Sequence, residues 1–335
     1  MARFALSIAA LLGFLVTAAA ANLLVPALRR MRAARLNRAP RRDAVLETEK
    51  AGVPTMGGLA LVLGVLAAVG AAWLGLTALD PKLLDGHQRM NLTLALAGAF
   101  AFGAVGFADD YLREAAGRRD GLRAWQRLVL QALVVTCFLA GLYYNGVLDT
   151  GMVVPFVGYV DFGRAYYPLA YVLILWLLNG AALPDAVGGA SAGPAFAAML
   201  GCAVVCGLLN YFQLAICAAA AAGGLLAFLL WNFAPAKVSG GRTGCYFWCG
   251  LLISISFCMG WPSLLLLFGG IYLLEGLVWM LQGVWFALRR KLLFAAAPLY
   301  AALLHSGWSE AAVAAAYTGM AGALTLLALL FVRIS

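Results

Sequence analysis

Long apolar runs, broken by short polar segments, repeat along the whole chain. A helix needs about 20 mostly apolar residues to cross a bilayer. Runs of that kind fall near 4–27, 54–78, 91–108, 125–146, 166–182, 189–208, 212–233, 243–259, 262–288 and 312–333. The pattern predicts an all-α polytopic membrane protein with ten transmembrane helices, forming one integral membrane domain over 1–335. The first run sits where a secretory signal would. It is too long for one, and its positive charge follows it, so it reads as a retained span. One segment breaks the helical pattern. "GMVVPFVGYVDFGR" (151–164) alternates apolar and turn residues, which predicts a small hairpin. There is no internal repeat, and the alanine runs read as helix-packing surface.

Composition sharpens this picture. Hydrophobic residues make up 64% of the chain and charged residues 11%. Soluble chains are about a quarter charged, which excludes an ordinary soluble domain. The net charge of +9 would suggest nucleic acid in a soluble protein. Here the positives lie between apolar spans, where membrane lipids and orientation account for them. Most of the 23 basic residues follow spans one, three, seven and nine. By the positive-inside rule those loops are cytoplasmic, both termini are outside, and the hairpin is periplasmic. Asp109, Asp110, Asp185, Arg242 and His305 then share the cytoplasmic face of a multi-pass cell-membrane protein. The seven cysteines lie in apolar runs without zinc-finger spacing and read as packing residues.

Four polar stretches are candidates for chemistry. "KAGVPTMGGL" (50–59) places Lys50 and a Pro54–Thr55 turn just before span two. It reads as a helix start, or as a lysine near a phosphate. "GFADDYLR" (106–113) puts two acids at the end of span three, where ionisable residues are functional suspects. Helical neighbours point about 100° apart, so Asp109 and Asp110 do not readily chelate one ion together. "LLNGAALPDAVGGASAG" (177–193) carries Asn179 and a single acid, Asp185. "NFAPAKVSGGRTGC" (232–245) carries Asn232, Lys237 and a glycine turn around Arg242. Such a turn before a helix suits phosphate; it also serves as a plain tight loop. Glu275 and Gln282 share one face of span nine and read as interhelical hydrogen-bonding groups.

Taken in order, these motifs resemble the polyprenyl-phosphate sugar-1-phosphate transferases, especially the phospho-N-acetylmuramoyl-pentapeptide transferase (MraY-like) branch. "KAGVPTMGGL", "GFADDYLR", "GLRAWQRLVLQ", "NFAPAKV" and "SGWSEAAV" carry the likeness from about Lys50 to Glu310. The resemblance implies a ten-span fold and transfer of a sugar phosphate from a UDP-sugar to undecaprenyl phosphate with magnesium. It implies catalytic roles for Asp109, Asp110 and Asp185. Substrate contacts would fall to Lys50, Thr55, Asn179, Lys237 and Arg242, and any magnesium to Asp109 and Asp110.

Several family positions are changed. The nucleotide loop has Ala182 for its second asparagine and Gly188 for its second aspartate. A magnesium-ligating aspartate is replaced by Arg242, and the three-histidine loop by Tyr300, Ala301 and Ala302. Losing a divalent cation nearly balances the added positive charge, and a guanidinium would repel magnesium. Arg242 is therefore expected to pair with Asp109 or Asp110. Three readings follow. The first is a degenerate paralogue that binds a polyprenyl phosphate or lipid-linked wall precursor, as a homodimer or beside an active transferase. The second is an active transferase with altered substrate or metal use. The third is a transporter of lipid-linked sugars, which lacks support because no paired broken helices recur in two halves.

Overall fold

The computed structural model describes residues 2–38, 53–79, 86–114, 121–154, 158–294 and 296–334. Its helices of seven residues or more are α1 (Ala2–Arg38), α2 (Gly58–Leu79), α3 (Gly86–Glu114), α4 (Ala124–Tyr144), α5 (Tyr166–Ala182) and α6 (Ala192–Leu208). They continue with α7 (Phe212–Asn232), α8 (Gly241–Cys258), α9 (Gly270–Arg289), α10 (Leu299–His305) and α11 (Glu310–Ile334). The protein is thus an all-α polytopic membrane protein. Among the described residues, eight helices are long and apolar enough to cross a bilayer: α1–α5, α7, α9 and α11. The ten expected spans are not all of that kind. α6 is apolar but has only 17 residues, and α8 opens on Arg242 and Thr243.

The reason for the difference is position. α8 is the central helix, and every residue from Thr243 to Cys258 is buried. It packs against α2, α3, α5, α6 and α7. A helix surrounded by protein does not have to match lipid, so its length and polarity are set by its neighbours. Outer helices such as α4 and α11 instead bury one narrow stripe and expose large apolar side chains such as Leu133 and Leu326.

Small residues bring the central helices together. A Cβ placed on Gly106 of α3 would lie 2.5 Å from the Arg242 carbonyl carbon and 2.7 Å from the Thr243 nitrogen. A Cβ on Gly103 would lie 3.2 Å from the Phe247 side chain. Only glycine permits that approach of α3 to the start of α8. α7 buries the run Ala218–Ala222 in the same core, as the alanine pattern leads one to expect.

The hairpin forms as expected. β1 (Gly151–Val154) and β2 (Gly158–Asp161) pair antiparallel, with Gly151 opposite Asp161 and Val154 opposite Gly158. All seven cysteines are free; six are buried, while Cys137 is exposed on α4 and departs from the packing expectation. Glu275 is buried and ties three elements together. It accepts bonds from the Leu299 and Tyr300 backbone N–H groups at 2.8 and 3.0 Å, and from the Tyr317 hydroxyl. Gln282 accepts from the Leu293 and Phe294 N–H groups at 3.2 and 3.0 Å. Both residues secure the segment after α9.

Candidate functional site

The polar motifs converge on the first turn of α8. Two glycine-rich loops build its floor by backbone pairing. Gly57 and Gly58 donate to the Ser239 and Gly240 carbonyls, each at 3.0 Å, and Ser239 donates to Pro54 at 2.9 Å. The "VPTMGG" and "SGGR" stretches, far apart in sequence, therefore lie side by side.

Asp109 and Asp110 end α3 against this floor, and both are fully buried. As adjacent helical residues they diverge. The Asp109 carboxylate accepts from the Arg242 guanidinium, from Arg113 at 3.4 Å and from the Leu122 backbone N–H at 2.9 Å. Asp110 Oδ2 accepts from the Thr243 backbone N–H at 2.8 Å and the Thr243 hydroxyl at 2.7 Å. Its Oδ1 is buried with no partner. Of the two expected pairings for Arg242, the side chain makes the one with Asp109.

Asp185 lies in a 3-10 turn, Pro184–Ala186. Its Oδ2 accepts from the Ser239 hydroxyl at 2.5 Å and the Gly241 N–H at 2.9 Å, and its Oδ1 from the Gly240 N–H at 3.3 Å. Gly241 has φ +69°, and a Cβ there would collide with Asp110 Oδ2. Glycine is required between the two acids on both counts. The helix start, which suits phosphate in principle, is thus already filled. Carboxylates of the chain itself take the N–H groups of residues 240, 241 and 243.

Asn179 serves a second polar layer. Its amide donates to Gln131 Oε1 at 3.0 Å and to the Leu175 carbonyl at 2.8 Å, and its oxygen accepts from the Tyr246 hydroxyl at 3.3 Å. Asn232 braces the loops by accepting from Gly189 N–H at 3.1 Å and donating to the Val238 carbonyl at 3.0 Å. Gly188 packs tightly here. A Cβ on it would lie 2.8 Å from the Asn232 carbonyl oxygen and 2.9 Å from the Ala236 Cβ.

The remaining candidates stand apart. Thr55 donates to Glu114 at 3.1 Å, an acid that also accepts from Arg32 at 3.1 Å. Lys237 is exposed, and its carbonyl accepts from Arg29 at 3.3 Å. His305 is exposed at the end of α10, and Tyr300 joins the Glu275 cluster through its backbone. Lys50 lies outside the described residues. Reading the motifs alone does not single out Gln131, Tyr246 or Thr243. The one sequence signal is spacing: Arg127 and Gln131, like Arg242 and Tyr246, are four apart on a helix and share a face.

No group of three His, Cys, Asp or Glu side chains suited to a metal ion occurs among the described residues. The acids that come together are largely engaged within the chain, with Asp110 Oδ1 the one oxygen of the three carboxylates left without a partner. Asp109 neutralises Arg242, while Asp110 and Asp185 cap α8. Magnesium needs oxygen ligands in near-octahedral order, and a guanidinium on one carboxylate opposes it. The donor set does not fit that ion.

A family model described as glycosyl transferase family 4 matches residues 92–260. A phospho-N-acetylmuramoyl-pentapeptide-transferase of Halalkalibacterium halodurans is 32% identical over 301 residues, covering 90% of this chain and 89% of the relative. That of Heliobacterium modesticaldum is 34% identical over 265 residues, covering 79% and 78%. That of Bacillus subtilis is 29% identical over 301 residues, covering 90% and 89%. The matched stretch contains α4–α8 and most of α3, and with them every acid of the site. The chain belongs to glycosyl transferase family 4, in the branch of the phospho-N-acetylmuramoyl-pentapeptide-transferases.

Proposed function

We propose that this chain is a catalytically degenerate member of its family. It keeps the transferase scaffold and binds a polyprenyl phosphate or a lipid-linked cell-wall precursor, without magnesium-assisted transfer of a sugar phosphate. The pairing of Arg242 with Asp109 carries this reading. In the family pattern an aspartate stands at position 242 and serves the metal. Here a fixed positive charge takes both the place and the carboxylate. The changes at Ala182, Gly188 and Tyr300–Ala302 supply further support, since they fall on nucleotide and histidine-loop positions.

The protein is proposed to be a multi-pass cell-membrane protein with both termini outside and the α8 site facing the cytoplasm. The distribution of basic residues supports that orientation. It acts as a homodimer or beside an active transferase.

A turnover assay tests the proposal. Purified protein receives UDP-MurNAc-pentapeptide, undecaprenyl phosphate and magnesium, with a motif-complete relative as control. UMP release is expected to stay at background. Release that disappears in Asp109→Asn and Asp110→Asn would establish an active transferase instead, with Arg242 as a phosphate contact.

A further inference from the structure

α2 leaves the floor of the α8 site at Gly58, and α3 reaches it at Asp109. Further along both helices, at least two turns from that floor, the flank of the bundle is cleft. α2 and α3 each pack on α7 and α8 more than on each other, so they stand apart where they face outward. Between them lies a groove of about 430 Å³. Leu66, Gly70 and Trp73 of α2 line one wall, and Thr93, Ala97 and Phe100 of α3 line the other. Both sets are spaced three or four apart, which puts each on one helix face. Gly70 opens the gap, since a Cβ placed on it meets nothing within 4 Å. The Thr93 hydroxyl in the lining donates to the Arg89 carbonyl at 2.9 Å. The walls therefore hold no buried donor or acceptor left unmet, and they suit an alkyl chain better than a polar ligand.

In a membrane such a gap is filled, because a void forfeits dispersion contacts and water finds too few polar partners there. Two occupants compete for it: a helix of a second copy, or a lipid chain. Size separates them. The lining spans about eight residues of each helix, or ~12 Å at the helical rise. A volume of about 430 Å³ over that length gives a cross-section of roughly 36 Å². A helix with its side chains is about 10–12 Å wide, or roughly 80–110 Å². The groove is too slim for a helix, and far smaller than the ~20–30 residues a side of a stable protein interface. A single acyl chain fits. Charge completes the match. Arg89 is exposed one turn before Thr93, on the same face of α3. Long helical side chains lean toward the N-terminus, here away from the groove and toward the membrane boundary. That sets a cation where the phosphate of a lipid lies when its chain runs along the groove.

We propose that the groove between α2 and α3 binds one anionic phospholipid, with an acyl chain along Gly70 and Trp73 and the phosphate beside Arg89. The lipid wedges the two helices against α7 and α8. This site is separate from the α8 site and does not depend on whether that site is active.

Full-length protein in mild neutral detergent is titrated with phosphatidylglycerol and, separately, with phosphatidylcholine of the same chains. Native mass spectrometry counts the bound lipids. One phosphatidylglycerol is expected to bind more tightly than those that follow, and more tightly than phosphatidylcholine. Gly70→Leu fills the groove and is expected to weaken this first binding about tenfold or more, the worth of two buried methylenes. Its side chain enters open space, so the variant should fold, and melting of lipid-free protein checks this. Ala97→Phe fills the groove from the facing wall and is expected to act alike. Arg89→Gln is expected to lower the preference for phosphatidylglycerol about fivefold, the worth of one basic residue near anionic lipid, while the chain still binds. Any of four results would overturn the proposal. No first lipid stands out, or both groove-filling variants bind it like the parent. Gly70→Leu alters the oligomeric state and not lipid binding, which would give the groove to a second copy. Farnesyl monophosphate displaces the bound phosphatidylglycerol, which would give it to a prenyl chain.

Discussion

The Arg242 guanidinium sits against the buried Asp109 carboxylate and joins the start of α8 to the end of α3. Arg113 shares the same carboxylate at 3.4 Å, so one acid holds two cations. Breaking a buried pair strands the remaining charge, whereas removing both partners can cost little. Melting of Asp109→Asn, Arg242→Gln and the double variant is therefore expected to show a coupling of about 1–2 kcal/mol. Arg242 keeps 25% of its side chain exposed, which moderates the effect. Additive single losses would mean that the contact contributes nothing to stability.

Arg242→Asp restores the family residue, yet it is expected to leave UMP release at background. The new carboxylate would face Asp109, and the loop around Gly188 has no room for the second missing acid. A Cβ at Gly188 already lies 2.8 Å from the Asn232 carbonyl oxygen. Robust turnover by this single variant would show that the nucleotide-side losses do not matter.

Gly106→Ala should be among the most damaging small changes in the chain. Its Cβ would lie 2.5 Å from the Arg242 carbonyl carbon, a backbone atom that cannot rotate away. Overpacking of this kind costs about 1–3 kcal/mol. It would also part Asp110 from Thr243. A melting temperature equal to that of the parent would contradict the close approach of α3 and α8.

Asp110 and Asp185 are assigned structural work at the start of α8. Asp185→Ala removes acceptors for Ser239, Gly240 and Gly241 and is expected to cost about 2 kcal/mol. Asp185→Asn keeps one carbonyl acceptor and should lose less. Hydrogen exchange at residues 240–243 reads this directly. Unchanged protection in Asp185→Ala would remove the capping role.

Glu275→Ala should free α10 from α9 and α11, since it deprives Leu299, Tyr300 and Tyr317 of one shared acceptor. Tyr317→Phe removes one of these bonds and should cost about 1 kcal/mol. Faster proteolysis within 290–305 in Glu275→Ala, but not in Tyr317→Phe, is the expected pattern. Equal cleavage of both variants would place the restraint in the Tyr317 hydroxyl instead.

The sequence by itself determined the membrane class, the helical content, the hairpin at 151–161 and the acids and arginine that meet at α8. Those features follow from local rules: apolar length, alternation and motif order. It also indicated that Arg242 would seek an aspartate, because a buried cation needs a countercharge. Which aspartate took it was decided by tertiary structure. Adjacent side chains on α3 diverge, and the close contact at Gly106 sets Asp109 toward Arg242 and Asp110 toward Thr243. The same holds for the glycine turn at 239–241. Its N–H groups are legible as an anion site, but Asp185 and Asp110 arrive from other elements to fill them. The gap beside Gly70 was equally hidden. Spacing shows which residues share a helix face; only the packing of helices shows which faces stand apart.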